Sequence, residues 1–382
     1  MSKKTKTPAG KLSIHKMREK INKKHGNTVA YNLQEEDPSA VPYFIPTGSL
    51  WLDSIICRGR VSGIPGSRVS ILCGEPSVGK SYLGMMIAKN AIEQLDMNVV
   101  WFDSESSMDA SFFERAGVDT GRVLYIPAES VEFVLETMEE LLSSPNGRVL
   151  YCLDSLANCP AVSDLKSDYN PQSTIAVEAR VLAKGMAKLN QPIANSEATF
   201  LVLNQLKANI SSNPYETLAQ PFFQPGGKAI QYNSSLTIYL YGRKNKGSFV
   251  LDDNGYRIGS SVIAKLEKSR FGSMSRECAF QILFGGDEIR VCDEESWLEA
   301  IKRSDRISKY KGWYTLKFPD GNEKKFQEAG WLEELKQESF RAYVKELLHQ
   351  EIVENFDKRL VNASEFYDLD GQLEQMENDS SD

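Results

Sequence analysis

The segment 74–81 constrains this chain more than any other: Gly74, Glu75, Pro76, Ser77, Val78, Gly79, Lys80 and Ser81 follow an apolar run at 68–73 and open a helical stretch at 80–92. The spacing fits GxxxxGK[ST] in a strand–loop–helix context, the pattern of a phosphate-wrapping loop. Its glycines let successive backbone N–H groups turn inward on an anion. A helix that starts near Lys80 adds its positive dipole end. The Lys80 ammonium is then expected on the β and γ oxygens of a nucleoside triphosphate, and the Ser81 hydroxyl on Mg²⁺. Tyr82 follows within the same nucleotide-binding set. A chance glycine turn is the alternative, and the flanking strand and helix argue against it.

Further apolar runs at 98–103, 148–154, 199–204 and 235–241 read as strands, and 130–142 and 174–189 as helices. Strands that are apolar nearly throughout, rather than alternating, belong to a sheet covered on both faces. Their alternation with helices predicts a largely parallel α/β sheet. Segments 248–268 and 277–283 read as later, antiparallel strands. Residues 290–358 read as mostly helical, interrupted by a hairpin at 310–323 around the turn Pro319, Asp320, Gly321 and Asn322. Asp154 ends one apolar strand, where an acid can hold a metal's water shell or merely cap a helix. Glu105 lies just past the strand that ends at Asp103. A carboxylate there can orient or deprotonate an attacking water; the alternatives are an exposed loop acid, or Asp103 in that role.

Composition sets the outer limits. A chain of 382 residues with 41% apolar residues has the globular share, and its length predicts two or three units. A net charge of −7 excludes a simple polybasic nucleic-acid binder but not a local basic site. The charge is uneven: residues 1–25 hold nine Lys/Arg against one acid, and residues 363–382 hold seven acids and no base. The start reads as an interaction arm with a helix at 11–24 that carries Leu12, Met17 and Ile21 towards one side. The acidic end is either a solvated tail or a competitor with a polyanion for a basic surface. No run of 18 apolar residues predicts a membrane span, and no secretory leader is expected. Six cysteines without a CxxC pair and three histidines give no zinc spacing. Cys73 and Cys152 read as buried small hydrophobes, and a reducing cytoplasm is expected.

The phosphate loop, the segment Phe102–Asp109 with Glu105, the pair Asp154 and Ser155, and Asn204 with Gln205 together resemble the RecA family of recombinases. Residues 46–53 resemble the family's entry to its core, and 224–232 resemble the glycine-rich exit of its second DNA-binding loop. The resemblance runs from about Met17 to Leu348. The segment Glu267–Arg270 and the acidic end lean towards the phage UvsX type. The resemblance implies an α/β fold: a P-loop ATPase core with a largely parallel central sheet at 44–288, a basic arm and polymerisation segment at 1–43, a small α+β C-terminal domain at 289–358 and a disordered acidic tail at 359–382.

It also implies roles. ATP and Mg²⁺ would be held by Lys80, Ser81 and Asp154, and Glu105 would activate water. Asp109 and Phe112 would meet adenine by polar contact and ring stacking. Gln205 would sense the γ-phosphate, unless it is a buried structural amide. Lys268 and Arg270 would face the ATP of a neighbouring subunit, unless they are exposed strand cations. Tyr232 would lie at a subunit contact, unless it is an ordinary core aromatic. Gln231 stands where many members have lysine. DNA contact falls on two long polar segments, 163–174 and 206–226. Arg180, Lys207, Ile210, Gly226, Gly227 and Lys228 are the candidate contacts, with Phe222 and Phe223 as stacking surface. A basic cluster of Lys302, Arg303, Arg306, Lys309 and Lys311 would gather duplex DNA, or is a solvated face.

The activity so implied is a DNA-dependent ATPase that forms helical homo-oligomeric filaments on single-stranded DNA, pairs them with homologous double-stranded DNA and exchanges strands. Candidate partners include a loader protein and a single-strand-binding protein. The implied setting is bacterial cytoplasm, a phage-infected cell included. The rival is a ring-forming motor on the same core, a helicase or repair translocase. More distant rivals are a regulatory ATPase and a phosphotransferase with a small-molecule acceptor.

Overall fold

The computed structural model describes residues 14–56, 63–144, 147–166, 177–208, 222–242, 249–271, 275–286 and 288–354. The chain divides into two compact units at Pro42/Tyr43. In the first, the basic arm forms the helix Ile14–His25, which buries no residue. Ile14, Met17 and Ile21 are all exposed, while Leu12 lies outside the described residues. Asn22 folds the following segment back: its Oδ1 accepts from Val29 N at 2.9 Å and Ala30 N at 2.8 Å.

The second unit is built on a ten-stranded sheet. Six parallel strands lie in the order Leu236–Gly242, Val69–Gly74, Ala198–Gln205, Val149–Asp154, Asn98–Asp103 and Val123–Pro127. Beyond Leu236–Gly242 the sheet turns antiparallel through Arg257–Ser269, Glu277–Leu283 and Arg290–Cys292, with Phe249–Leu251 added against Arg257–Ser269.

Period-two alternation divides each central strand between two apolar layers. Leu72, Trp101, Leu150 and Cys152 face the layer that holds the helix Lys80–Leu95. Ile71, Cys73, Phe102, Tyr151 and Leu153 face the layer of the helices Val131–Leu142 and Val177–Ala194. Both layers are covered, which is why these strands carry no polar alternation. The predicted parallel α/β core is therefore present.

Three expectations change. The strand Val123–Pro127 was not expected. It is the sheet's edge, with Leu124 and Tyr125 exposed, so its apolar content signals no covered face. Residues 290–354 are less helical than expected. They hold the strand Arg290–Cys292 and a three-stranded antiparallel sheet of Ile307–Tyr310, Trp313–Lys317 and Glu323–Gln327, beside the helices Glu294–Ile301 and Glu338–His349. The expected turn is present: Gly321 takes φ +88°, and Asp320 Oδ1 accepts from Asn322 N at 3.0 Å. The first strand of that sheet was hidden because Ile307 is its one buried residue. Last, the segment read as a loop from Ser163 opens in the short helix Val162–Lys166. The C-terminal residues Trp297, Phe340 and Leu347 share one apolar cluster with Leu83 and Ile282 of the core.

Candidate phosphate-binding site

Four neighbouring parallel strands end together. Gly74 is in register with Gln205, and Asp103 with Asp154. A crevice at the carboxyl ends of such strands is the usual ligand position in an open α/β sheet. Here it is a cavity of about 430 Å³ lined by the phosphate loop, Glu105, Asp154 and Gln205, with Tyr82, Arg257 and Phe284 as a further wall.

The loop's glycines are steric requirements. Gly79 takes φ +104°, and a Cβ there would stand 2.7 Å from Ile282 Cδ1. A Cβ on Gly74 would stand 2.7 Å from Val78 Cγ1. Lys80 is buried, and its Nζ donates to the carbonyls of Gly74 at 3.3 Å and Glu75 at 3.0 Å. Burial pulls its pKa below the ordinary lysine value, against the pull of Asp154 and Glu105. Glu75 steadies the loop from outside, where its Oε2 accepts from Gly242 N at 3.1 Å.

Asp154 is buried, and burial pushes its carboxyl up to about 6, with the Ser81 hydrogen bond opposing and the charges of Glu105 and Asp103 adding. Among the described residues its Oδ2 is buried without a hydrogen-bond partner. A hard carboxylate oxygen left unsatisfied beside a serine hydroxyl suits Mg²⁺, which takes oxygen donors and usually keeps several waters. The residues present therefore fit the implied metal, with Ser81 and Asp154 as the groups that would hold it.

The two acids at the end of the strand Asn98–Asp103 have separate jobs. Asp103 is buried and fully engaged. Its Oδ1 accepts from Glu105 N at 2.8 Å and Ser106 N at 2.9 Å, and its Oδ2 from Ser107 N at 3.0 Å, Met108 N at 3.1 Å and Tyr125 Oη at 2.9 Å. Asp103 therefore shapes the turn, and Glu105 is the acid presented to the cavity. Glu105 Oε1 accepts from Ser155 Oγ at 2.7 Å, Asn158 Nδ2 at 2.6 Å and Gln205 Nε2 at 3.3 Å. Ser104 Oγ fastens the neighbouring turn through Ser155 O at 2.7 Å and Ser155 N at 2.9 Å.

Asp109 and Phe112 do not line the cavity. Asp109 caps the helix Ala110–Arg115 by accepting from Phe112 N at 3.0 Å. Phe112 stacks on Tyr82 at 5.8 Å, and Tyr82 on Phe284 at 5.1 Å. Tyr82 is thus the middle ring of a three-ring stack, of which Tyr82 and Phe284 line the cavity.

Lys268, Arg270 and Tyr232 gather elsewhere. Lys268 Nζ donates to the carbonyls of Gln231 (2.5 Å), Tyr232 (3.1 Å) and Ser234 (2.6 Å) at the end of the helix Gly227–Asn233. Arg270 donates to Tyr232 O at 3.1 Å, and the Tyr232 side chain is exposed.

Of the DNA candidates, Arg180 and Lys207 are exposed. Gly226 and Gly227 take φ +92° and +71° at the head of that helix. Lys228 lies in the helix, but its side chain is outside the described residues, as is Ile210. Phe222 and Phe223 pair with Ala208 and Lys207, closing the base of the second segment. In the C-terminal part Lys302, Arg303, Arg306 and Lys311 are exposed, while Lys309 is engaged by Tyr314 Oη at 2.9 Å.

Sequence reasoning missed Ser155 and Asn158 as partners of Glu105, and Phe284 and Arg257 as cavity wall. A polar i, i+3 pair just after an acid-ended strand was the available signal for the first two. None marked Phe284.

Among the described residues, no helix is long and apolar enough to cross a membrane. The model of the RecA N-terminal domain family matches residues 12–289. The protein RecA of Fusobacterium nucleatum is 28% identical over 300 residues, covering 78% of this chain and 74% of its own. The protein RecA of Helicobacter hepaticus is 28% identical over 265 residues, covering 68% and 72%. That of Aquifex aeolicus is 25% identical over 325 residues, covering 84% of each. With the phosphate loop, the paired strand-end acids and a family match across most of its length, the chain belongs to the RecA family of recombination and repair proteins.

Proposed function

We propose that this chain is a DNA-dependent ATPase that assembles as a helical filament on single-stranded DNA and pairs it with a homologous duplex for strand exchange. The observation that carries the reading is the contact between Gln205 and Glu105. It joins the acid at the phosphate end of the cavity to the strand that leads directly into the second DNA segment.

In this reading Gly74–Ser81 wraps the triphosphate with backbone N–H groups, and Lys80 leaves its loop carbonyls for the β and γ oxygens. Mg²⁺ bound at Ser81 and Asp154 would neutralise phosphate charge. Glu105 accepts the proton of the attacking water, and Gln205 changes partner when the γ-phosphate leaves, moving the second segment. Lys268 and Arg270 reach the ATP of the next subunit, which makes hydrolysis depend on assembly. Sequence recognition comes from base pairing, with the protein contacting backbone. The finer assignment to the phage UvsX type, with a loader and a single-strand-binding protein as partners, rests on Glu267–Arg270 and the acidic end.

Negative-stain electron microscopy with long single-stranded DNA and a slowly hydrolysed ATP analogue tests the reading. Nucleotide-dependent helical filaments are expected. Discrete rings would favour the ring-forming motor, and ATP binding with neither form would overturn the DNA assignment.

A further inference from the structure

Glu105 is gripped on one oxygen only. All three of its donors converge on Oε1, and Oε2 receives no protein hydrogen bond among the described residues. An oxygen that already accepts three hydrogen bonds is the poorer proton acceptor, so the grip selects Oε2 for water and fixes its direction. The three donors are unequal. Gln205 stands at 3.3 Å, whereas Asn158 Nδ2 stands at 2.6 Å.

An exposed asparagine in a turn ordinarily bonds to nearby backbone. Asn158 is exposed, yet its amide reaches an acid 53 residues away. Its backbone belongs to the 3₁₀ turn Leu156–Asn158, whose Leu156 is fully buried. That turn packs at the exit of the second candidate DNA segment and leads along the chain into the first. A Cβ on Gly226, at the exit of the second segment, would lie 2.9 Å from Leu156 Cδ2. In the other direction the chain runs through Cys159 and Pro160 into the helix Val162–Lys166, where the first segment begins. Asn158 is thus the donor on the turn whose Leu156 side chain packs at Gly226 and whose chain continues into the first candidate segment.

We propose that Asn158 is a positioning residue: it aims Glu105 and couples it to the turn that lies between the described ends of the two candidate DNA segments. The proposal rests on the reading of Glu105 as the water-activating base. Movement of the turn by about 1 Å is enough to make or lose the hydrogen bond, and misplacement of that size can cost orders of magnitude in rate.

The test is steady-state ATP hydrolysis by the full chain, with and without long single-stranded DNA, for Asn158→Ala and Asn158→Asp. The first removes the side chain at an exposed site; the second keeps its shape but replaces the donor with a second carboxylate. Both are expected to lower the DNA-stimulated kcat by about tenfold or more, Asp more than Ala. KM for ATP should change by less than about twofold, because the nucleotide contacts are untouched. Wild-type kcat in both variants would overturn the proposal. So would a normal kcat at saturating DNA with weakened DNA affinity, which would make Asn158 a plain DNA contact. An equal fall with and without DNA would overturn the coupling role. Glu105→Gln separates this from its premise: if that variant turns over normally, the base reading fails. If it is inactive while the Asn158 variants are normal, only the present proposal fails.

Discussion

Asp103 and Asp154 stand opposite each other at the ends of neighbouring parallel strands, and one is saturated with hydrogen bonds while the other keeps a buried oxygen that has no partner among the described residues. Position alone makes them equivalent. The difference is the turn after Asp103, where Ser106 takes φ +51° and the backbone N–H groups of residues 105–108 close on the carboxylate.

Asp103→Asn should therefore be a stability defect. The amide group would face backbone donors with donors of its own, at a cost of about 3 kcal/mol. Urea unfolding of the nucleotide-free protein checks this, and unchanged stability would remove Asp103 from its structural role. Hydrolysis should fall as well, because the same turn carries Glu105.

Asp154 predicts the opposite. Burial raises its folded-state pKa to about 6 from an ordinary 3.8. The stability that its protonated form contributes is full below pH 3.8 and is lost as pH rises through about 6. Ionising it in the metal-free fold then costs about 3 kcal/mol at neutral pH. Asp154→Asn should stabilise the metal-free protein at pH 8 by about 1–3 kcal/mol and leave it nearly unchanged at pH 4. It should also abolish Mg²⁺-dependent turnover. Thermal melts at the two pH values decide; destabilisation at pH 8 would count against a buried carboxylate that is costly to ionise without a cation.

Gly79→Ala tests the loop's shape. The φ of +104° and the 2.7 Å approach to Ile282 Cδ1 oppose any side chain. About 2 kcal/mol of lost stability is expected, together with weaker nucleotide binding by calorimetry. Ile282→Ala in the same chain would relieve the contact but not the backbone conformation, so rescue should be incomplete.

The legible part of this protein is local. Residues 74–81 declare themselves by spacing, and Asp154 by ending a wholly apolar strand. What stayed hidden depends on long-range pairing. Asn158 and Ser155 look like ordinary turn residues until the strand Asn98–Asp103 is laid beside Val149–Asp154. Asp103 and Glu105 are two acids two residues apart, and only the folded turn says which is presented to the cavity. The strand Val123–Pro127 failed to register because an edge strand need not bury a continuous face. Tyr82 reads as a helix residue beside the nucleotide-binding loop, and its place between Phe112 and Phe284 follows from where the strand Glu277–Leu283 ends.

Lys268→Ala gives the sharpest test of assembly. Within one chain Lys268 caps the helix Gly227–Asn233 and does not line the cavity, so ATP binding by the dispersed protein should be unaffected. If it serves the next subunit's ATP, Lys268→Ala and Glu105→Gln should each be inactive alone yet complement when mixed. A head-to-tail interface that pairs an intact Glu105 with an intact Lys268 arises in about a quarter of contacts in an equal, random mixture, and DNA-stimulated hydrolysis should recover towards that fraction. No recovery, with filaments still forming, would place Lys268 in the structural cap alone.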